Sequence, residues 1–457
     1  MALALSSLST AAWASPFTGL QSTQNVTIHD RGQGATDVLQ SAQVGIIRTQ
    51  GFGIGAHESL RALQPNAQSS LLIDVLGPVR TDILGSLTAN GRILISNPYG
   101  VYFGAGAQIN VGSLVATTLG VNSDDLLTGR IRLKDNGQTI GSVINAGQIS
   151  ATGTVALVGP QVSNEGHITA SRVGLAATSE VLVDVEGDGL IFFQMSGEKA
   201  GQRLSQLGQI TADGGVVDLR ANARGTMADT VLNMDGLIQA RSVGSRQGQV
   251  FIDGGAQGRT SVNGQIDASG QGAGEQGGQV TVLGQHVALG SQAHIDTRGQ
   301  AGGGSILVGG NYQGGGTERR AETTWVAAGA RLDASAIHAG NGGQVVVWSD
   351  DLTVFDGHIT SRGGLEGGNG GELEVSGLQR LSIGAPAHFD ALAPKGLVGN
   401  LLLDPQDIFI VASGGGSISA ANSANSTTDA SINASTINAV AANLTLSASR
   451  DIVVSAP

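Results

Sequence analysis

Gly264-Gln265-Ile266-Asp267-Ala268 follows a pattern of small, any, apolar, polar, small, and this pattern decides the fold. It occurs nine times, also at 147–151, 166–170, 208–212, 236–240, 293–297, 330–334, 357–361 and 387–391. Its apolar residues are Ile149, Ile168, Ile210, Ile238, Ile266, Ile295, Leu332, Ile359 and Phe389, at intervals of 19, 42, 28, 28, 29, 37, 27 and 30. The interval of 42 brackets an insertion around residues 185–206. Self-similarity at this period is the mark of a solenoid. Each unit alternates with period two, so it is a strand. A second strand often follows a double glycine, as in Gly278-Gln279-Val280-Thr281-Val282, Gly304-Ser305-Ile306-Leu307-Val308, Gly343-Gln344-Val345-Val346-Val347 and Gly371-Glu372-Leu373-Glu374-Val375. Glycine is expected to supply positive-φ turns between the strands. No helical stripe of useful length intervenes. The expected fold is all-β, a right-handed parallel β-helix (a solenoid). Nine coils at about 4.8 Å make a rod on the order of 40 Å.

Composition supports thin, stacked structure. Glycine accounts for 72 of 457 residues and aromatics for only 3%, while 40% apolar residues still allow a core. The lack of a three-residue glycine period excludes collagen. A net charge of −12 argues against binding nucleic acid or anionic lipid through a cationic face. No apolar run approaches the ~18 residues of a membrane span. The absence of cysteine excludes disulfides, thiolate metal sites and cysteine nucleophiles. It also suits a chain that must cross an oxidising compartment unfolded.

The first residues read as the end of a signal peptide. Ala12-Trp13-Ala14 is an A-x-A-type cleavage site, which places the cut between Ala14 and Ser15. The first cation is Arg31, so the usual basic leader is missing and a start upstream of Met1 is expected, or a trimmed signal.

A run ahead of the repeats carries a resemblance. Gly91-Arg92-Ile93-Leu94-Ile95-Ser96-Asn97-Pro98-Tyr99-Gly100-Val101-Tyr102-Phe103-Gly104 leads into Ala107-Gln108-Ile109-Asn110-Val111-Gly112-Ser113-Leu114-Val115-Ala116-Thr117-Thr118. With Gln50-Gly51-Phe52-Gly53-Ile54, Gln64-Pro65-Asn66 and Gly85-Ser86-Leu87-Thr88-Ala89-Asn90, it resembles the secretion domain of the filamentous haemagglutinin family. These are two-partner-secretion exoproteins, and the domain is also called the haemagglutination-activity domain. Val346-Val347-Trp348-Ser349 and Leu402-Leu403-Asp404-Pro405 extend the likeness more loosely. Two departures bear on recognition of the transporter: Tyr99 replaces the usual Asn of an Asn-Pro-Asn-Gly turn, and Leu72-Ile73-Asp74-Val75 replaces an Asn-Arg-Val stretch.

The resemblance implies export through the periplasm and then through a dedicated outer-membrane β-barrel transporter of a Gram-negative cell. It implies a secreted or surface-displayed adhesin whose receptor lies on a host cell, a bacterium or matrix. It divides the chain into a remnant signal (1–14), a secretion-domain cap (15–145), a β-helical shaft (146–403) and a continuation (404–457). The residues expected to serve transporter recognition are Asn97, Pro98, Tyr99, Gly100, Phe103, Gly104 and Asn110. Independently of the resemblance, Asn97, Pro98 and Gly100 suit the first, second and fourth positions of a β-turn. The final strand-like stretch Ile452-Val453-Val454 has no evident cap, which suggests a fragment or a partner-covered end.

No catalytic triad, H-E-x-x-H or nucleotide fingerprint is present, so no enzyme and no cofactor is expected. Asp184-Val185-Glu186-Gly187-Asp188-Gly189 imitates half a calcium loop but has Met195 where the closing Glu should stand. His167, His294, His358 and His388 share the outward slot before the apolar residue, and His358 with His388 could bind a soft metal across adjacent coils. Asp267, Asp296, Asp333 and Asp390 also share a slot, which leaves a polysaccharide lyase or hydrolase as an alternative. The stalk of a contact-dependent growth-inhibition toxin is another.

Overall fold

The computed structural model describes residues 15–137, 140–184, 193–196, 199–224, 229–413 and 430–456. The chain is a parallel β-helix with three strands per coil. One coil runs Gln279–Leu283, His286–Leu289, His294–Asp296, and the next stacks on it as Ser305–Val308, Thr323–Val326, Arg331–Asp333. These positions define a first, second and third face. Among the described residues the third face is a sheet of 14 strands. The first two faces join into one sheet because strand Val44–Ile54 bends across both.

The repeated apolar residue forms one unbroken ladder on the third face. Ile149, Ile168, Ile210, Ile238, Ile266, Ile295, Leu332, Ile359 and Phe389 pair in register from coil to coil. Leu60, Leu87 and Ile109 extend the ladder toward the N-terminus. Among the described residues twelve coils therefore carry the pattern, a stretch on the order of 60 Å along the rod. The ladder runs through residues 145 and 146 without interruption. Each rung is buried, which stabilises its coil by about 1.5–3 kcal/mol.

The second-face strand of each coil, such as His286–Leu289 or Leu352–Phe355, was not legible as a separate element. Only Gly284 and Gln285 part it from the first-face strand, so the two read as one run. A second departure concerns glycine. The double glycines ending at Gly278, Gly304, Gly343 and Gly371 do not adopt positive φ, although Gly214, before the first-face strand Val216–Ala221, does at +65°. They are required because the backbones touch. A Cβ on Gly304 would strike the carbonyl of Gly278, and one on Gly343 that of Gly304; Gly371 and Gly399 continue the series. Gly166, Gly208, Gly236 and Gly264 stack in the same way before the third face, each against the carbonyl of the glycine one coil back.

The N-terminal end is closed by antiparallel structure. Phe17–Gln24 pairs with Val44–Ile54, and Phe17 stacks on Phe52 at 5.1 Å between ring centroids. Val26–Gly32 and Ala35–Gln40 form a hairpin that starts the third face. A four-stranded antiparallel sheet of Gly120–Val121, Arg130–Lys134, Glu180–Asp184 and Phe193–Ser196 lies outside the helix. Its Ile131, Leu133, Val181, Val183 and Phe193 cover Leu72, Leu94, Val115, Ala156 and Ala176, which point outward from the first face. These first-face strands are thus buried on both sides, as their continuous apolar sequences require. Toward the other end, Asp451–Val454 is a strand paired with Asp407–Val411, and Ile452, Val453 and Val454 are exposed.

Replacing Gly208 or Gly304 with alanine is expected to cost about 2–4 kcal/mol, because rigid backbone must move apart. Gly106→Ala, at an exposed turn with room for a methyl group, should stay within about 0.5 kcal/mol. Urea unfolding midpoints measure the difference.

Candidate functional site

The Asn97–Gly100 turn joins the first-face strand Arg92–Ser96 to the second-face strand Val101–Phe103. The Gly100 amide donates to the Asn97 carbonyl at 3.0 Å, and the Tyr99 amide donates to Asn97 Oδ1 at 2.9 Å. Asn97 Nδ2 donates to the Val79 carbonyl and to Thr81 Oγ1, both at 2.9 Å. Asn97 is fully buried, and its side chain ties this turn to the preceding coil. Pro98 is buried too, and its carbonyl accepts from the amides of Ile140 and Gly141 in the following coil. Gly100 has φ +117°, which an L side chain rarely adopts. Tyr99 alone of the four is partly exposed.

The remaining motif residues divide by side. Phe103 lies in the core, and Gly104 is buried where a Cβ would strike the Leu84 side chain. Asn110 is exposed in an outward row between Thr88 and Ser150. The upstream motif forms a second buried network. Gln64 Nε2 donates to Gln40 Oε1 and to the carbonyls of Ser69 and Arg92, while Gln64 Oε1 accepts from the Gly91 amide. Asn90 exchanges two 2.8 Å hydrogen bonds with the Gln64 backbone. In the segment that departs from the family pattern, Leu72 enters the outer core. Asp74 lies 3.5 Å from Arg48, and burial pushes its carboxyl above the usual range.

Beside the turn is a groove of about 550 Å³ lined mainly by Pro16, Phe52, Ile54, Val79, Arg80 and Leu84. Arg80 borders both features: it pairs with Asp82 at 2.6 Å and lies over the Tyr102 ring at 4.8 Å. Ser15, on the rim of the groove, accepts a hydrogen bond from the Phe17 amide. Ala14 and most of the calcium-like stretch, 185–189, lie outside the described residues.

The aspartate row has a structural explanation. Asp267, Asp296, Asp333 and Asp390 stack in one slot, with Thr360 between the last two. Each accepts from the backbone amide two residues on, at Ser269, Arg298, Ser335 and Leu392. Each also faces arginine: Arg241 at 3.1 Å from Asp267, Arg298 at 2.6 Å from Asp296 and 3.8 Å from Asp333, Arg362 at 3.0 Å from Asp390. They are turn residues held by cations. The His358 and His388 rings are 5.7 Å apart on adjacent coils, and Arg331 occupies the same slot one coil earlier. Burial, then His388 and Arg331, lowers the His358 pKa. Among the described residues no three metal-ligating side chains converge.

Two features went unread in the sequence. Asn145, Asn164 and Gln206 form a buried amide ladder with 2.8 Å links between coils. Its signal is an amide two residues before each stacked glycine, at Gly147, Gly166 and Gly208. The other is Glu374, fully buried on the outer side of the first face, which no local sequence pattern marks.

Known proteins share this architecture. The secretion domain of HMW1 from Haemophilus influenzae superposes with a TM-score of 0.71 at 26% identity, over 83% of this chain and all of that one. A heme/hemopexin-binding protein of Haemophilus influenzae is 38% identical over 130 residues, 27% of this chain and 14% of the relative. A second protein of the same description is 36% identical over 93 residues, 20% of this chain and 10% of the relative. The chain thus spans a small part of the length of these relatives. Residues 14–268, more than half of the sequence, match the family described as the TPS secretion domain, and with the same β-helix beneath that match, the chain belongs to this family of two-partner-secreted exoproteins.

Proposed function

We propose that the chain is exported through a dedicated outer-membrane transporter and then presents a β-helical, adhesin-type rod outside the cell. The family match over residues 14–268 carries this reading. The form of the fold supports it. Each coil gains its burial by stacking on the coil before it, so a chain emerging N-terminus first can fold coil by coil. No helix among the described residues is long and apolar enough to cross a membrane.

Within this reading, Asn97, Pro98 and Gly100 serve secretion through folding. Their burial makes them positioning residues for the adjoining Tyr99 and the Arg80 groove, where an incoming transporter segment can make contact. Asn110 offers a second, outward contact. The rod is proposed to bind a surface receptor without catalysis, since its aligned carboxylates are engaged by arginines and backbone amides. Heme or hemopexin binding belongs to the relatives as whole proteins, and the short matched stretches favour no such ligand here.

Asn97→Ala leaves Thr81 Oγ1 and the Val79 carbonyl without their buried donor and should cost about 1–3 kcal/mol in urea unfolding. Tyr99→Ala should cost less than about 0.5 kcal/mol. With a complete signal peptide, the chain should appear outside a Gram-negative host only when the partner barrel is co-expressed. Asn97→Ala should reduce that release several-fold. Release without the barrel, or retention of folded chain in the periplasm despite it, contradicts the proposal.

A further inference from the structure

Residues 309–320 leave the first face after Ser305–Val308 and rejoin the second face at Thr323–Val326. Their neck is closed by the Ala321 amide, which donates to the Gly309 carbonyl at 2.6 Å. The loop then reaches forward along the rod. The Gln313 amide donates to Glu374 Oε2 at 2.9 Å, and Gln313 Nε2 lies 3.5 Å from Asp404 Oδ2. The loop therefore spans the coils that carry Gln344–Ser349, Glu372–Gly377 and Asn400–Leu403. Gly310 and Gly314 lie directly on the Trp348 indole, where a Cβ would collide with the ring. Tyr312 and Gln313 are exposed on the outer side, while Trp348 and Glu374 beneath are buried. Gln313 adopts the left-handed region, with φ 52° and ψ 31°, which costs a non-glycine residue.

The loop tip is held at a carboxyl group in poor surroundings for a charge. Glu374 is fully buried, and among the described residues its Oε1 has no hydrogen-bond partner. Its own strand offers Glu372 and the Ser376 hydroxyl. The preceding strand offers Val346 in register and Trp348, neither charged. The following coil offers Leu402 in register and then Asp404. From the loop come Tyr312 and Gln313, while Arg319 and Arg320 pair with Asp253 and Asp350 and Glu318 is bonded to Asn311.

We propose that residues 309–320 form a proton-gated strap, closed over Trp348 while Glu374 is neutral and released at its tip when Glu374 ionises. Burial, reinforced by Asp404, pushes the Glu374 carboxyl from 4.5 up to about 7, against the Gln313 and Ser376 hydrogen bonds. An open strap lets water reach Oε1 and returns the group toward its ordinary value. The closed form thus binds the proton more tightly. Its advantage is complete below pH 4.5, declines as pH rises, and is gone above about pH 7. The closing equilibrium weakens on the order of a hundredfold across this window.

Acrylamide quenching of Trp348 in the full chain tests the strap, with Trp348→Phe as the background to subtract. Quenching should rise between pH 5 and 8 with a midpoint near 7. Glu374→Gln should remain protected throughout, and Asp404→Asn should lower the midpoint by removing a neighbouring carboxylate. A flat wild-type profile overturns the proposal. So does an unchanged midpoint in Glu374→Gln, or in Asp404→Asn should the first variant not fold.

Discussion

The parallel backbone ladder sets a coil-to-coil distance of about 4.8 Å, and no side chain can stand between carbonyls brought that close. The stacked glycines meet this constraint. At Gly166, Gly208, Gly236 and Gly264 before the third face, and at Gly278, Gly304, Gly343, Gly371 and Gly399 before the first, the space for a Cβ is taken by a neighbouring coil. Identical positions must then stack on one another, so each slot needs a residue type that tolerates its own repetition. Isoleucine does this in the core. Amides do it at Asn145, Asn164 and Gln206, where each side chain donates to the next. Aspartate does it on the outside only with arginine and a backbone amide in attendance.

The motifs that mark the family belong to the same economy of buried polar groups. Gln64, Asn90 and Gly91 bind three coils together at the corner between the third and first faces. Asn97, Pro98 and Gly100 do so between the first and second. A side chain that satisfies two backbone or hydroxyl groups at once, with no water to replace it, tolerates little change. What they shape is the surface beside them, at Tyr99 and the groove that Arg80 borders.

Legibility followed the environment of each face. The third face alternates between core and solvent, so its period-two pattern announced every strand from Gln148–Ala151 to His388–Asp390 in correct register. The same pattern was present in Ser86-Leu87-Thr88-Ala89 and Gln108-Ile109-Asn110-Val111, where family motifs drew attention instead. The first-face strands Ser70–Val75 and Arg92–Ser96 lack alternation because the outer sheet covers them, and that cover comes from segments up to about a hundred residues away in the chain. The burial of Asn97 was hidden for a related reason: a turn reads as surface unless the segment packed over it, here Ile140 and Gly141, is known. Glycine was read through its φ angle, which holds at turns such as Gly100, Gly214 and Gly329, whereas at the stacked positions contact between coils, invisible in one repeat, is what demands it.

One in-register stack continues from the strands of the quoted secretion motifs into the repeats. The absence of cysteine allows clean nitroxide labelling at introduced cysteines. Asn110, Ser150 and Thr169 are successive outward positions on the third face, on either side of residues 145 and 146. Spin-label distances should place Asn110 and Ser150 one coil spacing apart, about 5 Å between backbones, and Asn110 and Thr169 about 10 Å apart. Distances that do not grow with coil number, or that scatter broadly between Asn110 and Ser150, would contradict a continuous stack.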